Sequence, residues 1–264
     1  MSVVPVFAYH SVAREPTSWI APFSVTPRTF AEQLDRIADA GVSVVPLRQL
    51  VAALRGCKPL PEQSAVLTFD DGFADFYWTV APMLAERGLP ATLYVTTGAV
   101  HAPGAGPEGS LLPPADMLNW RQIATLDALD IEIGGHSRTH AQLDILPVAR
   151  ARHEVADSKR RLEDVVSHPV SSFAYPQGYH SAAVRRAVRE AGWSSGAAAG
   201  DAFSSTTDDP WRISRLTVRA DSGPTEFDRW VHGVGAPVAS PRESLGVKGR
   251  RLYRKARFMT GHYP

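Results

Sequence analysis

Residues 65–72 read AVLTFDDG, an apolar run that ends in two acidic residues and a glycine. A short apolar run of this kind is typical of a buried strand in a parallel sheet. Similar runs alternate with amphipathic helical patterns along most of the chain, at residues 3–8, 42–46, 91–95, 131–134, 172–175, 194–198 and 213–218. This alternation is the pattern of parallel βα units, of which the chain has seven or eight.

The number of repeats favours an α/β fold of the TIM-like (β/α)7–8 barrel type, with allowance for irregular closure, over an open doubly wound sheet. No phosphate-binding glycine fingerprint follows the first strand, which argues further against the doubly wound alternative. Hydrophobic periodicity is lost after Pro237, so we divide the chain into a barrel domain at 1–236 and a basic C-terminal tail at 237–264. Residues 97–116 are rich in glycine and proline and are expected to form a long surface loop near a strand end.

The composition excludes several classes of protein. The 264 residues include 28 basic and 27 acidic side chains, so no overall charge argues for nucleic acid as a partner. The single cysteine, Cys57, excludes an intramolecular disulfide and a thiolate-based zinc cluster.

The N-terminus shows no secretory signal and no later stretch is apolar enough to span a bilayer, so we expect a cytoplasmic protein. The basic residues between 248 and 257 favour a solvated or frayed tail, with a patch for peripheral contact with anionic lipid or polymer as the alternative.

Side chains that can do chemistry directly follow four of the predicted strands. They are His10, Asp70, Asp71, His136, His140 and Gln177. Because all strands of a parallel barrel end on one face, we expect these groups, which are remote in sequence, to meet there. Their convergence predicts an active site at the carboxyl face of the barrel.

The spacing of two histidines predicts a metal site. Residues 136–140 read HSRTH, and two imidazoles four positions apart on a helical turn can bind one cation. A chance pair on a helix is the alternative, but Gly134-Gly135 before the motif permits tight backbone geometry at a strand end. Neighbouring strand side chains point opposite ways, so one of Asp70 and Asp71 can bind the cation while the other faces a bound water. The alternative for this pair is a helix N-cap.

Three motifs together resemble the NodB-homology polysaccharide deacetylases, carbohydrate esterase family four. They are TFDDG at 68–72, HSRTH at 136–140 and FAYPQG at 173–178, and the resemblance in motif order covers about residues 3–230. It implies a hydrolase with one divalent metal ion, zinc or else cobalt, nickel or iron. The roles that it implies are general base for Asp70, metal ligands for Asp71, His136 and His140, and an oxyanion-binding backbone amide for Gln177.

The general acid is expected at the N-terminus. The family usually takes this histidine from a Leu-x-His motif near its C-terminus, but here His232 lies in a helical pattern. FAYHS at 7–11 instead resembles the YH motif that opens the poly-N-acetylglucosamine deacetylase branch, whose barrel is circularly permuted. This resemblance makes His10 the expected acid, with His180 as a lesser candidate, and it predicts a permuted barrel.

One feature of the family is missing. Many members carry an arginine at the position of Ala174, where it orients the catalytic aspartate. Arg215 lies on a late predicted strand, where a cation is costly to bury unless it pairs with a carboxylate, so it is the expected substitute. A structural or surface salt bridge is the alternative role.

The resemblance implies removal of N-acetyl groups from an amino sugar in a polysaccharide or a glycan precursor. Two alternatives stay open, a hydrolase of the same fold that acts on O-acetyl esters or small cyclic amides, and a non-catalytic barrel that binds glycans. Without a secretory signal, a nucleotide-, lipid- or antibiotic-linked amino sugar is as good a candidate as a cell-wall polymer. The expected partner is an N-acetylated carbohydrate, with no nucleic acid and no membrane span.

Overall fold

The computed structural model describes residues 3–101, 109–240 and 245–260. Its strands are β1 (Val3–Val4), β2 (Val6–Tyr9), β3 (Ser11–Val12), β4 (Ser24–Val25), β5 (Ser43–Val44), β6 (Ser64–Phe69), β7 (Thr92–Val95), β8 (Glu132–Gly135), β9 (Ser172–Ala174), β10 (Ser195–Ala197), β11 (Ser204–Ser205) and β12 (Leu216–Thr217). Its α-helices are α1 (Pro27–Asp39), α2 (Leu47–Leu54), α3 (Ala81–Arg87), α4 (Trp120–Ala128), α5 (Val148–Val166), α6 (Ala182–Glu190), α7 (Pro224–Val231) and α8 (Leu245–Met259).

Seven parallel strands curl into the barrel that the sequence predicts. Their order is β10-β9-β8-β7-β6-β2-β12. The register pairs Tyr9 with Phe69, which brings the residues after β2 and β6 to the same level. Between β10 and the chain before β12, the described residues form an isolated bridge from Ala197 to Ile213. The barrel is therefore TIM-like, with an irregular seam at this point.

The second predicted strand, residues 42–46, is not part of the ring. Only β5 remains of it, paired with Ser64 and Ala65 at the amino end of β6. The chain then enters α2, a helix that the sequence pattern did not indicate, and Leu47 and Leu50 pack against the interior side chains of the barrel. An apolar helix face thus closes the amino end of the barrel, and β2 and β6 pair directly.

The alternation of side chains along the strands separates the barrel interior from a layer of outer helices. In β2, Val6 packs in the interior cluster and Phe7 packs in the outer one. The outer layer includes α1, which begins with Thr26 as its N-cap as the sequence predicts. Phe30 and Leu34 of α1 are fully buried there, and burial of such side chains contributes about 1.5–3 kcal/mol each.

The helix predicted at residues 75–87 is interrupted. A π-helix covers Phe76–Val80 and α3 follows it. Pro82 lies in the first turn of α3, and proline lacks the N–H that a continuous α-helix requires at that point. The interruption therefore has a local cause in the sequence.

The basic C-terminal segment differs from the solvated or frayed tail that the sequence favoured. Residues 245–260 contain α8, and Arg251 and Arg254 of this helix bind the carboxylate of Asp144. Asp144 is almost completely buried, so the contact fixes the helix to the barrel. Among the described helices, none has the length and apolar character needed to cross a membrane.

The barrel interior explains one of the two glycines before the histidine motif. The hydroxyl group of Tyr94 is 2.8 Å from Ser172 Oγ, which holds the Tyr94 ring across the interior. A Cβ atom on Gly134 would lie 2.5 Å from Tyr94 Cδ1 and 2.9 Å from the carbonyl oxygen of Ser172. The packing of Tyr94 and Ser172 therefore leaves no room for a side chain at position 134.

We expect Gly134→Ala to lower the free energy of unfolding by about 1–3 kcal/mol, because the added methyl group must displace the Tyr94 ring. Urea unfolding measures the change. The control is Gly249→Ala, since a Cβ there meets open space and alanine is the better helix former. Equal stability of the wild type and Gly134→Ala would contradict the account.

Candidate active site

Asp70 and Asp71 follow β6 at the carboxyl face of the barrel. Asp70 continues the strand, because its N–H donates to the carbonyl oxygen of Tyr9 at 2.9 Å. Asp71 has a φ of 73°, in the left-handed region, so the alternation of side chains stops there. Asp71 Oδ1 and Asp70 Oδ2 lie 3.6 Å and 3.9 Å from His136 Nε2. Both carboxylates therefore face one imidazole, whereas strand geometry predicted that they diverge.

The two histidines come from an irregular turn, not from the helical turn that their spacing predicted. His140 Nε2 lies 3.2 Å from Asp71 Oδ1. Ser137 and His140 have φ values of 62° and 66°, and Ser137 Oγ accepts a hydrogen bond from the His140 N–H. His136 Nδ1 is 2.9 Å from the carbonyl oxygen of Ala174. Because a carbonyl oxygen only accepts, Nδ1 carries the proton and the Nε2 lone pair faces the carboxylates.

Glu154 of α5 supports this turn, and the sequence did not single it out. Its carboxylate accepts hydrogen bonds from the Thr139 N–H at 2.8 Å and from the Thr139 hydroxyl at 2.9 Å. Glu154 is only 3% exposed. In the sequence, a glutamate on the apolar face of α5, beside Ala151 and Val155, indicates that its carboxylate has a hydrogen-bond or ionic partner. The sequence does not identify that partner.

The predicted loop at residues 97–116 also supports the turn, although its residues 102–108 lie outside the described part of the chain. The Gly98 N–H donates to the carbonyl oxygen of Arg138 at 2.6 Å, and the Leu111 N–H donates to that of Thr139 at 2.8 Å. The histidine turn is thus held from the α5 side and from the loop side.

Arg215 lies inside the barrel and pairs with Asp70. Its Nη1 and Nη2 donate to the two carboxylate oxygens of Asp70 at 2.7 Å and 2.8 Å, and its Nε donates to the carbonyl oxygen of Ala198 at 3.0 Å. Arg215 and Asp70 are 1% and 4% exposed, so the bidentate pair is shielded from water. Burial raises the pKa of Asp70, but the charge and hydrogen bonds of Arg215, together with contributions from His136 and His10, outweigh burial and hold that pKa below its usual range.

Asp71, His136 and His140 form a group that fits one divalent cation. Each offers a ligand atom, and these atoms lie within 4.8 Å of one another. Burial lowers the pKa of both histidines to about 4, so the rings are neutral at pH 7, as metal binding requires. Burial raises the pKa of Asp71, and its Oδ1 is buried without a hydrogen-bond partner among the described residues. Two imidazoles and one carboxylate are a donor set that borderline cations accept.

His10 lies beside the carboxylates. It follows β2, and Tyr9 pairs in register with Phe69, the residue before Asp70. The His10 ring packs against Phe23 with 5.3 Å between the ring centroids. Its Nδ1 is buried and has no hydrogen-bond partner in the described part of the chain, and the ring is close enough to Asp70 and Asp71 to interact with both carboxylates electrostatically.

The two other candidate acids have different surroundings. His232 is exposed at the end of the outer helix α7, where its Nδ1 is 2.7 Å from the carbonyl oxygen of Asp228. His180 Nδ1 accepts a hydrogen bond from Arg185 at 2.8 Å. Burial, followed by nearby arginines, lowers the pKa of His180 to about 3, which leaves the ring without the proton that a general acid must give.

Gln177 lies in the turn after β9. The turn is a 3-10 helix at Pro176–Gly178, and Gln177 has a φ of 55° within it. The turn begins two residues after Ala174, whose carbonyl oxygen contacts His136 Nδ1. Gln177 therefore lies close in sequence to the end of β9 that supports His136. Its exposed side chain accepts a hydrogen bond from Gln142 Nε2.

Comparisons of the sequence with known proteins find similarity to deacetylases. The polysaccharide deacetylase family model matches residues 58–195, just over half of the chain. The Bacillus subtilis protein YxkH, a polysaccharide deacetylase by name, is 20% identical over 231 residues, which cover 88% of this chain and 77% of that protein. The poly-beta-1,6-N-acetyl-D-glucosamine N-deacetylase of Escherichia coli is 43% identical over 68 residues, which cover 26% of this chain and 10% of that protein.

Two solved structures show the same fold. IcaB from Ammonifex degensii has a TM-score of 0.74 at 23% identity, covering 88% of this chain and 97% of that one. The deacetylase PplD from Streptococcus pyogenes has a TM-score of 0.73 at 21% identity, covering 84% of this chain and 95% of that one. The curled parallel sheet is therefore a NodB-like barrel.

We expect Arg215→Met, in chelator-treated protein, to lower the free energy of unfolding at pH 7 by about 3–5 kcal/mol, because it leaves a buried carboxylate unpaired. In the wild type the Asp70 pKa is depressed, so its stabilisation is present above the ordinary pKa of 3.8 and is lost below it. Without Arg215, burial raises that pKa, so the deficit should shrink as the pH falls and Asp70 takes up a proton. Urea unfolding at pH 7 and at moderately acidic pH measures both effects.

The matched control is Arg48→Met, which breaks the exposed pair with Asp130 and should cost less than about 1 kcal/mol. Adding Asp70→Asn to Arg215→Met should restore part of the lost stability, because the uncompensated charge is removed. A deficit that is independent of pH and is not reduced in the double variant would contradict the role of the pair.

Proposed function

Because the chain belongs to the polysaccharide deacetylase family, we propose that it is a metal-dependent hydrolase that removes N-acetyl groups from an amino sugar in a polysaccharide or a glycan precursor. The observation that carries the proposal is the buried Oδ1 of Asp71, which faces two neutral histidines beside a carboxylate that Arg215 keeps ionised. Family membership supports deacetylation. The ligand group supports dependence on a metal.

Asp71, His136 and His140 are the residues that would hold the cation. Zinc suits this set of two imidazoles and one carboxylate, and cobalt, nickel and iron suit it too. A divalent cation bound there polarises the acetyl carbonyl group and lowers the pKa of water. Three protein ligands leave room for water and substrate together.

Asp70 is the proposed general base. Arg215 binds both of its oxygens, but each carboxylate oxygen has a second lone pair. Oδ2 lies 3.9 Å from His136 Nε2, so that oxygen faces the group that would hold the cation. The ion pair fixes the direction of the carboxylate and keeps it ionised, which prepares Asp70 to accept the proton of the attacking water.

His10 is the proposed general acid, and the Gln177 backbone amide is the proposed oxyanion donor. The water oxygen bonds to the acetyl carbon while Asp70 takes its proton, and the amide N–H of Gln177 stabilises the negative oxygen of the tetrahedral intermediate. The carbon–nitrogen bond then breaks, and His10 gives its proton to the leaving nitrogen. The products are acetate and a free amino sugar.

N-acetylglucosamine is the substrate unit that the comparisons support. The segment that matches the Escherichia coli enzyme at 43% identity is short, and that protein is named for the deacetylation of poly-β-1,6-N-acetyl-D-glucosamine. We therefore propose an N-acetylglucosamine-containing glycan or precursor as the substrate. A cytoplasmic location remains a prediction.

We expect the metal-loaded protein to release acetate from N-acetylglucosamine oligomers or from small N-acetyl sugars, and Asp70→Asn to lower kcat about 10²–10⁴-fold because the base is lost. An enzymatic acetate assay measures both rates. An O-acetylated sugar of the same length, which should release little acetate, separates amide from ester hydrolysis. Absence of acetate from every N-acetyl sugar, with Asp70→Asn equal to the wild type, would refute the proposal.

The same assay tests the metal. Treatment with a chelator should abolish acetate release, and one equivalent of zinc, cobalt, nickel or iron should restore it. Asp71→Asn and His140→Ala should fail to retain the metal in elemental analysis, since each removes one of three ligands. Asp130→Asn, which changes an exposed carboxylate far from the group, serves as the control. Full activity in the chelated protein would contradict metal dependence.

His10→Gln should lower kcat about 10²–10⁴-fold on N-acetyl sugars, because the amine leaves only with a proton. An aryl acetate ester carries a leaving group that needs no proton, so its hydrolysis should fall much less. His180→Gln and His232→Gln are the matched controls and should keep near wild-type kcat on both substrates. An equal loss on both substrates for His10→Gln, or a selective loss for either control, would move the acid role away from His10.

A further inference from the structure

The helix α8 concentrates the positive charge of the chain. Its segment, residues 245–260, contains six basic residues and no acidic one. The rest of the chain has 22 of the 28 basic residues against all 27 acidic ones, so it is net negative. The molecule is therefore divided into an acidic body and a basic helix, although its overall charge is only +1.

One side of α8 is fixed to the barrel. Arg254 donates to Asp144 Oδ2 at 2.7 Å and stacks on the ring of Tyr179, with 3.8 Å between its guanidinium carbon and the ring centroid. Arg251 binds the same carboxylate and donates to the carbonyl oxygen of His180 at 2.8 Å. These contacts use two of the six cations and set which side of the helix faces outward.

The outward side carries apolar residues between cations. Leu252 and Tyr253 are adjacent on this side and are 69% and 64% exposed. With about 100° between successive residues of an α-helix, Leu252, Tyr253 and Ala256 lie opposite the side that Arg251 and Arg254 attach to the barrel. The exposed cations Lys255 and Arg250 lie on the two flanks of this apolar strip.

We propose that the outward side of α8 binds an anionic lipid surface. A helix that lies in a membrane interface has this arrangement, in which apolar side chains enter the acyl boundary and flanking cations contact anionic headgroups. A soluble polyanion would contact the cations alone, whereas a lipid surface would also bury Leu252 and Tyr253. The acidic body is repelled by the same surface, so the charge distribution also sets the orientation of the molecule.

The contacts of α8 place the helix beside segments that follow the strands of the candidate active site. Tyr179 and His180 belong to the segment that follows β9 and Gln177, and Asp144 lies four residues after His140. A molecule held by α8 would therefore keep the carboxyl face of its barrel near the lipid headgroups.

Co-sedimentation of the full chain with lipid vesicles tests the proposal. We expect the protein to pellet with vesicles of phosphatidylglycerol and phosphatidylcholine, to stay in solution with vesicles of phosphatidylcholine alone, and to be released by added salt. Arg250→Gln with Lys255→Gln should weaken the affinity about 30-fold, because each cation near an anionic surface contributes to binding. Leu252→Ser with Tyr253→Ser should weaken it about tenfold through the loss of apolar contact.

The charge-matched control is Lys58→Gln with Arg121→Gln, which removes two exposed cations from other parts of the chain and should leave vesicle binding unchanged. Circular dichroism checks that all variants remain folded. Acetate release from a soluble sugar should be equal in the wild type and the α8 variants, so that vesicle binding and catalysis are read separately.

Three results would overturn the proposal. The first is an absence of binding to anionic vesicles at low salt. The second is full vesicle binding by the Leu252→Ser/Tyr253→Ser variant together with equally tight binding of inorganic polyphosphate, which would indicate a polyanion site. The third is a wild-type dimer in sedimentation experiments without lipid, together with a monomeric Leu252→Ser/Tyr253→Ser variant. This result would show that a second copy of the chain covers the apolar strip.

Discussion

The buried ion pair between Arg215 and Asp70 is the interaction on which the barrel and its candidate site both depend. One guanidinium group binds Thr68 and Asp70 on the β6 side and the carbonyl oxygen of Ala198 after β10. It does so near the seam where β10 meets the chain before β12 through an isolated bridge. Charges buried this deeply stabilise a fold only when their hydrogen bonds are complete, and here they are shared between strands. The same group therefore joins the seam and orients the proposed base.

The carboxyl face of the barrel carries backbone strain that the surrounding structure must offset. Among the described residues of this face, Asp71, Ser137, His140 and Gln177 have a positive φ although none of them is glycine. Conformations of this kind cost on the order of 1 kcal/mol or more each and persist where neighbours hold them. Glu154 and the described parts of the loop at 97–116 bind the turn that contains His140. A ligand group held in this way would be in place before a cation binds.

The range over which each signal acts decides what the sequence could predict. Strand ends followed by polar residues are local patterns, so His10, Asp70 and their partners could be chosen from the sequence, and Arg215 stood out as a cation that needs a partner on a strand. The geometry of residues 136–140 could not be predicted. Two residues four positions apart share a helix face only if the backbone is helical, and packing with distant segments determines the backbone here. The role of Glu154 and the position of α2 depend on contacts between distant segments. A single sequence does not specify which distant segments meet.

The docked position of α8 bears on the choice between a polymer and a precursor as the substrate. The helix contacts the segments that follow β9 and His140, so the proposed binding of α8 to lipid would bring the carboxyl face of the barrel near the headgroups. A polymer would then have to approach the site close to the membrane surface. An amino sugar carried on a lipid already lies in that plane, and its approach needs no release from the bilayer. The proposed lipid binding by α8 therefore favours a lipid-linked amino sugar over a soluble polymer as the substrate.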